Sequence, residues 1–172
     1  DRMGNKSVIK AGDVQRMSAG TGLTHSEFNL AEKPVNFYQI WIFPDEAALK
    51  PTYDQKTYSP SQWKNRIFPL ASGQGVPDTV IFHTDATIYR CDLEEDKSVV
   101  FDGTFGRRIF IYLTNGEMLV NGLKIEKKDQ ARVDTENPLS IKAVENSEFL
   151  LIDVPSCKGW SYSQGTLQGG KK

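Results

Sequence analysis

Apolar and polar residues alternate along the chain in many short runs, which is the two-residue period of half-buried β-strands. Turn dipeptides such as Asp102-Gly103, Asn115-Gly116 and Asn121-Gly122 separate several of these runs. The pattern predicts strands at residues 7–9, 14–17, 34–43, 79–83, 86–93, 98–101, 108–113, 117–120, 123–125, 131–133, 139–143 and 148–153. Many short strands with regular turns favour an all-β fold closed into barrels, because closure removes free sheet edges.

The same pattern divides the chain into four parts. Residues 1–44 are predicted to form part of one barrel, in which the strongest strand, residues 34–43, takes a central place. Residues 45–69 lose apolar periodicity and are predicted to be a linker with helical turns near residues 46–49 and 59–65. A complete second barrel is predicted over residues 70–155, followed by a mobile tail over residues 156–172.

Composition and charge limit the classes of protein to which the chain can belong. The chain has 172 residues, with 21 basic and 22 acidic side chains and a net charge of −1. It has no basic run of the kind that binds nucleic acid directly, and no apolar run of the roughly 20 residues that span a bilayer. Cys91 and Cys157 are far apart and form no CxxC pair, which favours a reducing compartment, so we expect a cytoplasmic protein without membrane contact.

The candidate chemistry lies at His25 and Glu27, which follow a glycine-containing SAGTG sequence. If this stretch is extended, the two side chains project to the same face. Such a pair can ligate a divalent metal, act as an acid–base couple, or form a structural hydrogen bond, and the spacing alone leaves these alternatives open. By contrast, His83 and the acidic cluster Glu94–Asp96 fall at strand ends, where a surface role is expected.

Several short sequence motifs together resemble those of a known family. The run GNKSVIKAGDVQRMSAGTGLTHSEFN, followed by FYQIWIFP, PTYDQKTY and the final LLIDVP, resembles the pirin family of the cupin superfamily, especially bacterial members described as quercetin 2,3-dioxygenases. Gly12, Gly20, His25 and Asn29 are similar to the second cupin motif, although Ser18 stands where that motif has proline. The likeness extends to about Pro155 and implies a bicupin fold, in which two β-barrels follow one another.

The resemblance also implies a chemistry. It makes His25 and Glu27 ligands of a mononuclear divalent metal, most often iron as Fe(II), with two further histidines from an HxH motif that would lie before Asp1. The implied reaction opens the ring of a flavonol such as quercetin with dioxygen and releases carbon monoxide, and Glu27 would accept the proton of the 3-hydroxyl group. We expect the chain to lack about 70 residues of the family pattern, and the N-terminal barrel to be incomplete and the activity impaired or absent.

Two other functions remain open from the sequence. A non-catalytic cupin could act as a binding or regulatory protein through a protein partner, as some pirin relatives are described to do. Alternatively, the chain could be a cupin isomerase or a silent scaffold, in which His25 and Glu27 only form a hydrogen bond. Oxygen consumption with quercetin would separate the dioxygenase from both.

Overall fold

The computed structural model describes residues 7–104, 106–134 and 138–156. These residues form β-strands with a single short 3₁₀ turn, Pro60–Gln62. The strands are β1 (Asp13–Ser18), β2 (Thr52–Thr57), β3 (Phe68–Ser72), β4 (Val80–Ile81), β5 (Thr87–Leu93), β6 (Ser98–Phe101), β7 (Arg107–Asn115), β8 (Glu117–Val120), β9 (Leu123–Glu126), β10 (Gln130–Asp134), β11 (Leu139–Ala143) and β12 (Ser147–Pro155). No helix in this part of the chain is long and apolar enough to cross a membrane.

Strands β3–β12 build the C-terminal barrel from two facing sheets. One sheet has six strands in the order β10-β7-β12-β5-β3-β4, and the other has four in the order β6-β11-β8-β9. All described pairings in these sheets are antiparallel except β3 with β4. This all-β architecture confirms the predicted fold class.

The two sheets enclose one apolar core, because the side chains that point inward along each strand are almost all hydrophobic. Strand β7 shows the alternation clearly, since Ile109, Ile111 and Leu113 are fully buried while Phe110 and Tyr112 on the other face are half-buried. The buried cluster consists of Cys91, Leu93, Ile109, Ile111, Leu113, Met118, Val120, Leu139, Ile141, Ala143, Phe149 and Leu151. Packing of this kind fills the barrel with side chains and leaves its interior apolar.

The predicted strands of the C-terminal barrel are all present, with ends that differ by a few residues. Strands β6, β8 and β11 have the predicted bounds, and Asn121-Gly122 forms the tight turn between the paired strands β8 and β9. Both turn residues have positive φ, at 48° and 81°, which explains the Asn-Gly sequence. Strand β3 was not predicted, because its sequence FPLAS is short and contains proline and small residues.

The stretch predicted as a linker contains a strand. Strand β2 pairs with β1 over its whole length, from Asp13 with Thr57 to Ser18 with Thr52. Its sequence TYDQKT has no apolar alternation, so the pattern gave no signal for it. The turn predicted at residues 59–65 is present as the 3₁₀ turn, whereas the one predicted at residues 46–49 is only a bend.

Two strand predictions in the N-terminal part are wrong. Residues 7–9 and 34–43 form no strand, and neither does the stretch around His25, so residues 19–51 run without regular structure between β1 and β2. A β-strand needs a neighbouring strand to pair its backbone N–H and C=O groups, and no described strand pairs with these segments. The predicted tail lies outside the described residues from position 157 onward.

Candidate metal centre

We call residues 19–51 the site-bearing segment, and its two ends lie next to each other. Its two ends are joined by the last β1–β2 pair, Ser18 with Thr52, and the Arg16 guanidinium donates to the side chain and the carbonyl of Thr52. Gly20 has φ of +51°, and a Cβ added to it would lie 2.0 Å from the Leu49 carbonyl oxygen. The backbone at this glycine thus lies so close to Leu49 that a side chain would not fit. Loops of this length without regular structure are uncommon and often functional.

Two turns frame the candidate ligands. The first closes through the Gly22 amide, which donates to the Ala19 carbonyl at 2.8 Å. The second is organised by Asn29, whose side chain donates to the Lys33 carbonyl at 2.8 Å and accepts the Ala31 amide at 3.0 Å. Asparagine is suited to this because its amide can satisfy a donor and an acceptor of the same turn. His25 and Glu27 lie between these turns, on a stretch without regular secondary structure.

The structure brings His25 and Glu27 together, although the stretch is not a strand. His25 Nε2 lies 4.0 Å from Glu27 Oε1, and the two side chains are 31% and 35% exposed. Extended backbone alone gives the i, i+2 relationship that places both groups on one side. This distance is too long for a hydrogen bond. The alternative in which His25 and Glu27 only form a structural hydrogen bond is therefore not supported by a direct bond between them.

The pair has the chemistry and the spacing of two ligands of one cation. Metal–nitrogen and metal–oxygen bonds of about 2.0–2.2 Å hold adjacent ligand atoms about 3 Å apart, so a small side-chain rotation from 4.0 Å closes the pair around an ion. Imidazole with carboxylate suits Fe(II) and related divalent metals. Within the described ranges, no group of three or more His, Cys, Asp or Glu side chains is placed to hold a metal, so no third side chain of these types joins His25 and Glu27.

A polar network on the β1–β2 hairpin was not predicted. The Tyr53 hydroxyl contacts the side chains of Ser7, Gln15 and Gln55, and the Gln55 amide also donates to Asp13 Oδ2 at 2.8 Å. The alternating polar positions of β1 and β2 were the available signal, because the register places these groups on one face of the hairpin. The network stabilises the hairpin that carries both ends of the site-bearing segment.

Residues 34–43 lie against the outer face of the six-stranded sheet. Ile42 packs against the buried cluster of Ala71, Val80 and Ile88, and the Tyr38 ring meets the Tyr112 ring edge-on at 5.7 Å. Burial beside the barrel raises the pKa of the Tyr38 hydroxyl, and Tyr112 and Glu148 raise it further. Tyr38 and Ile42, four residues apart, thus both contact the outer face of the sheet without strand pairing.

The other face of the same stretch points away from the barrel. Phe37, Trp41 and Phe43 are 63%, 82% and 88% exposed. The prediction that this stretch lies in a sheet centre is wrong for the described chain, because no neighbouring strand covers these rings.

The remaining chemical groups named from the sequence do not join the pair. His83 is exposed, and its carbonyl accepts the Asp45 amide at 2.9 Å. Glu94 closes a turn and pairs with Lys64 at 2.7 Å, as expected for a surface position. Burial in the apolar core raises the pKa of the Cys91 thiol to about 12, which keeps it protonated and unreactive, and Cys157 lies outside the described residues.

A buried ion-pair array was also not predicted. Arg107 Nε lies 2.7 Å from Asp153 Oδ1, and Arg107 Nη1 lies 2.8 Å from Asp85 Oδ1. The side chains of Arg107 and Asp153 are only 11% and 8% exposed. Burial raises the pKa of Asp153, while the hydrogen bond from Arg107 holds the pKa of Asp85 below its ordinary value. The three residues are far apart in the sequence, on β7, on β12 and between β4 and β5, so only the tertiary structure reveals the array.

Comparison with protein families gives two matches that divide the chain between them. The Pirin family model matches residues 1–42, which include His25 and Glu27. A model described as the quercetinase C-terminal cupin domain matches residues 69–154, the C-terminal barrel. The boundaries of the predicted linker between them stay a prediction.

Individual relatives agree with these matches. The chain is 36% identical to quercetin 2,3-dioxygenase of Escherichia coli K12 over 156 residues, which cover 90% of this chain and 66% of that protein. The chain thus spans about two thirds of the length of this relative.

Solved structures show the same likeness. The fold superimposes on that of YhhW from Escherichia coli with a TM-score of 0.81 at 35% identity, covering 89% of this chain and 64% of YhhW. The crystal structure of the bacterial pirin YhhW in complex with nickel(II) matches with a TM-score of 0.78 at 33% identity, covering 89% of this chain and 66% of that one. The resemblance predicted from the sequence is confirmed, and the chain belongs to the pirin family of the cupin superfamily.

Proposed function

We propose that the protein is a metal-dependent dioxygenase that opens the central ring of flavonols such as quercetin. The observation that carries this proposal is the 4.0 Å approach of His25 Nε2 to Glu27 Oε1, within the region matched by the Pirin model. Support also comes from the relative named quercetin 2,3-dioxygenase and from the pirin structure that contains nickel.

In this proposal His25 and Glu27 hold a mononuclear divalent metal, for which Fe(II) is our expectation. When bound, the metal would supply Lewis-acid activation of the flavonol and a site for reaction with dioxygen. His25 would act as a neutral imidazole donor through Nε2, and Glu27 would act both as a ligand and as a base. A carboxylate oxygen of Glu27 would take the proton of the flavonol 3-hydroxyl, because removal of this proton makes the ring electron-rich enough to react with dioxygen.

The described residues supply only two donors, which limits what this chain can do alone. Two donors bind a divalent ion weakly compared with the three or four protein ligands of usual sites. We therefore infer that the 172-residue chain has low metal affinity and low activity, and that full activity needs further donors. Flavonol and dioxygen are the proposed partners of the site.

The test is oxygen consumption with quercetin, using protein expressed from the complete reading frame and loaded with Fe(II) or with Ni(II). Parent protein should consume dioxygen and release carbon monoxide in equal amounts. Glu27→Ala should lower the rate by about 10²–10⁴-fold, the range for loss of a positioned acid–base group. Glu32→Ala is the matched control, because Glu32 is an exposed carboxylate on the same segment.

Metal binding is measured in parallel by equilibrium dialysis. His25→Ala and Glu27→Ala should each weaken binding, whereas Glu32→Ala should leave it unchanged. Metal-loaded parent protein that consumes no dioxygen with any flavonol tested would exclude the dioxygenase function. Retained metal binding together with that result would favour the alternative, a non-catalytic cupin that acts through a protein partner.

A further inference from the structure

The array of Arg107, Asp85 and Asp153 holds a loop of the C-terminal barrel in place. This loop, residues 82–86, connects β4 to β5. Besides the carboxylate of Asp85, the Arg107 guanidinium contacts the Asp85 backbone carbonyl through Nη2 at 3.0 Å. Because a planar guanidinium with several directed donors fixes the position of its partners, both the side chain and the backbone of Asp85 are restrained.

The loop is also tied to its own barrel from the other side. Gln74 Nε2 donates to Asp85 Oδ1 at 2.8 Å, and the Gly73 amide donates to the Ala86 carbonyl at 2.9 Å. A Cβ added to Gly73 would lie 1.9 Å from the Thr84 carbonyl oxygen, so the two backbones touch at this glycine. The loop is therefore held from two sides, by residues 73–74 on one side and by Arg107 on the other.

The same loop carries the contacts to the end of the 34–43 stretch. The Asp45 amide donates to the His83 carbonyl at 2.9 Å. The Thr84 hydroxyl lies 2.6 Å from both the Phe43 and the His83 carbonyl oxygens and shares its single proton between them. Two polar contacts thus join residues 43–45 to a loop whose own position depends on Arg107.

We propose that Arg107 is a positioning residue that, through Asp85 and the loop 82–86, fixes residues 43–45 of the site-bearing segment on the C-terminal barrel. Burial of Arg107 against Asp153 anchors the guanidinium in the barrel, and the two donors that face Asp85 extend this anchor to the loop. The C-terminal barrel then also determines where the stretch that contains Tyr38 and Trp41 leaves the barrel surface.

The chain offers a closely matched control in the neighbouring arginine. Arg108 Nε lies 2.7 Å from Asp134 Oδ1, an ion pair of the same chemistry on the next residue of β7. Its partner Asp134 lies on β10 instead of the loop 82–86. Asp85 and Asp134 are both largely exposed, so substitution of either carboxylate leaves the apolar core intact.

The test is backbone amide hydrogen exchange followed by NMR on the 172-residue protein, which needs neither metal nor flavonol, so its outcome is independent of the proposed reaction. Asp85→Asn should speed exchange of the Asp45 amide by about tenfold, the effect of losing one charge-assisted contact in a local opening. Asp85→Glu, which keeps a carboxylate, should restore slow exchange in part. Asp134→Asn should leave the Asp45 amide within about twofold of the parent.

Arg107→Lys is a second variant that keeps the charge but loses the planar set of donors, and it should give an intermediate exchange rate at Asp45. The amides of Ile109 and Ile111 in β7 report on the barrel and should exchange as slowly in Asp85→Asn as in the parent. Equal exchange of Asp45 in Asp85→Asn and in the parent would overturn the proposal. Two other results would also overturn the proposal: exchange of the Asp45 amide that is as fast in Asp134→Asn as in Asp85→Asn, or faster exchange throughout β7. Either result would mean that the substitution loosens the barrel as a whole.

Discussion

The C-terminal barrel and the site-bearing segment contain the same kind of sequence signal with opposite structural results. Strand β7, RRIFIYLTN, and residues 34–43, PVNFYQIWIF, both alternate large apolar residues. In β7 one face is completely buried, since the strand is paired with β10 and β12. In the segment no described strand is paired, and Trp41 is 82% exposed. Alternation thus indicates the capacity to form a strand, and a partner strand decides whether it forms.

The largest expected difference between the two regions is in how much one phenylalanine side chain contributes to the free energy of unfolding. Phe149 is 1% exposed in the barrel core, and Phe43 is 88% exposed in the segment. Phe149→Ala should lower the free energy of unfolding by about 3–5 kcal/mol through lost burial and a cavity. Phe43→Ala should change it by less than about 0.5 kcal/mol. Urea unfolding followed by circular dichroism measures both, and similar losses would show that Phe43 is buried in solution.

Arg107 and Arg108 allow a buried and an exposed ion pair to be compared within the barrel. Arg107→Gln removes the partner of the buried Asp153, so we expect a loss of roughly 3 kcal/mol of unfolding free energy at neutral pH. Arg108→Gln removes a contact to the exposed Asp134 and should cost less than about 1 kcal/mol. Equal losses in urea unfolding at pH 7 would mean that burial does not distinguish the two pairs.

The contact between the two regions is expected to be weaker than the Arg107 ion pair of the barrel. The edge-on pair of Tyr38 and Tyr112 should have a coupling energy of about 0.5–1.5 kcal/mol. A double-mutant cycle with Tyr38→Ala, Tyr112→Ala and the double variant measures this energy by urea unfolding. A coupling near zero would mean that the segment does not rest on the six-stranded sheet in solution.

The smallest effect is in the pH dependence of two aspartates, for which we predict opposite signs. Burial raises the pKa of Asp153 above its ordinary 3.8, so the folded state retains a proton that the unfolded state releases, and this residue's contribution to stability falls as pH rises through the raised value. The hydrogen bond from Arg108 lowers the pKa of Asp134, so its contribution is present above 3.8 and is lost as pH falls through the lowered value.

Stability measured from about pH 2 to pH 7 in the parent, Asp153→Asn and Asp134→Asn checks these signs. The advantage of the parent over Asp134→Asn should grow with rising pH and then level off. Relative to Asp153→Asn, the parent should instead become less stable as pH rises. The same sign for both aspartates would show that burial does not dominate at Asp153.

The candidate site was predictable from sequence to the extent that it depends on local chemistry. His25 and Glu27 were named because one intervening residue in extended backbone places two side chains on one side. That consequence is present at 4.0 Å even though no strand forms around it. The contacts of Tyr53 with Ser7 and Gln15 and the Arg107 array were not predicted, because they join residues that are far apart along the chain.

The sequence by itself determined the all-β fold, most strands of the C-terminal barrel and the chemical identity of the candidate ligands, because period-two alternation, turn residues and side-chain type are local properties. Only the tertiary structure decided which alternating stretches became strands, that polar β2 pairs with β1, and that Arg107 holds Asp85 and Asp153 together. The physical reason is that backbone pairing and charge burial need partners supplied by distant parts of the chain, and no local pattern specifies where those partners will lie.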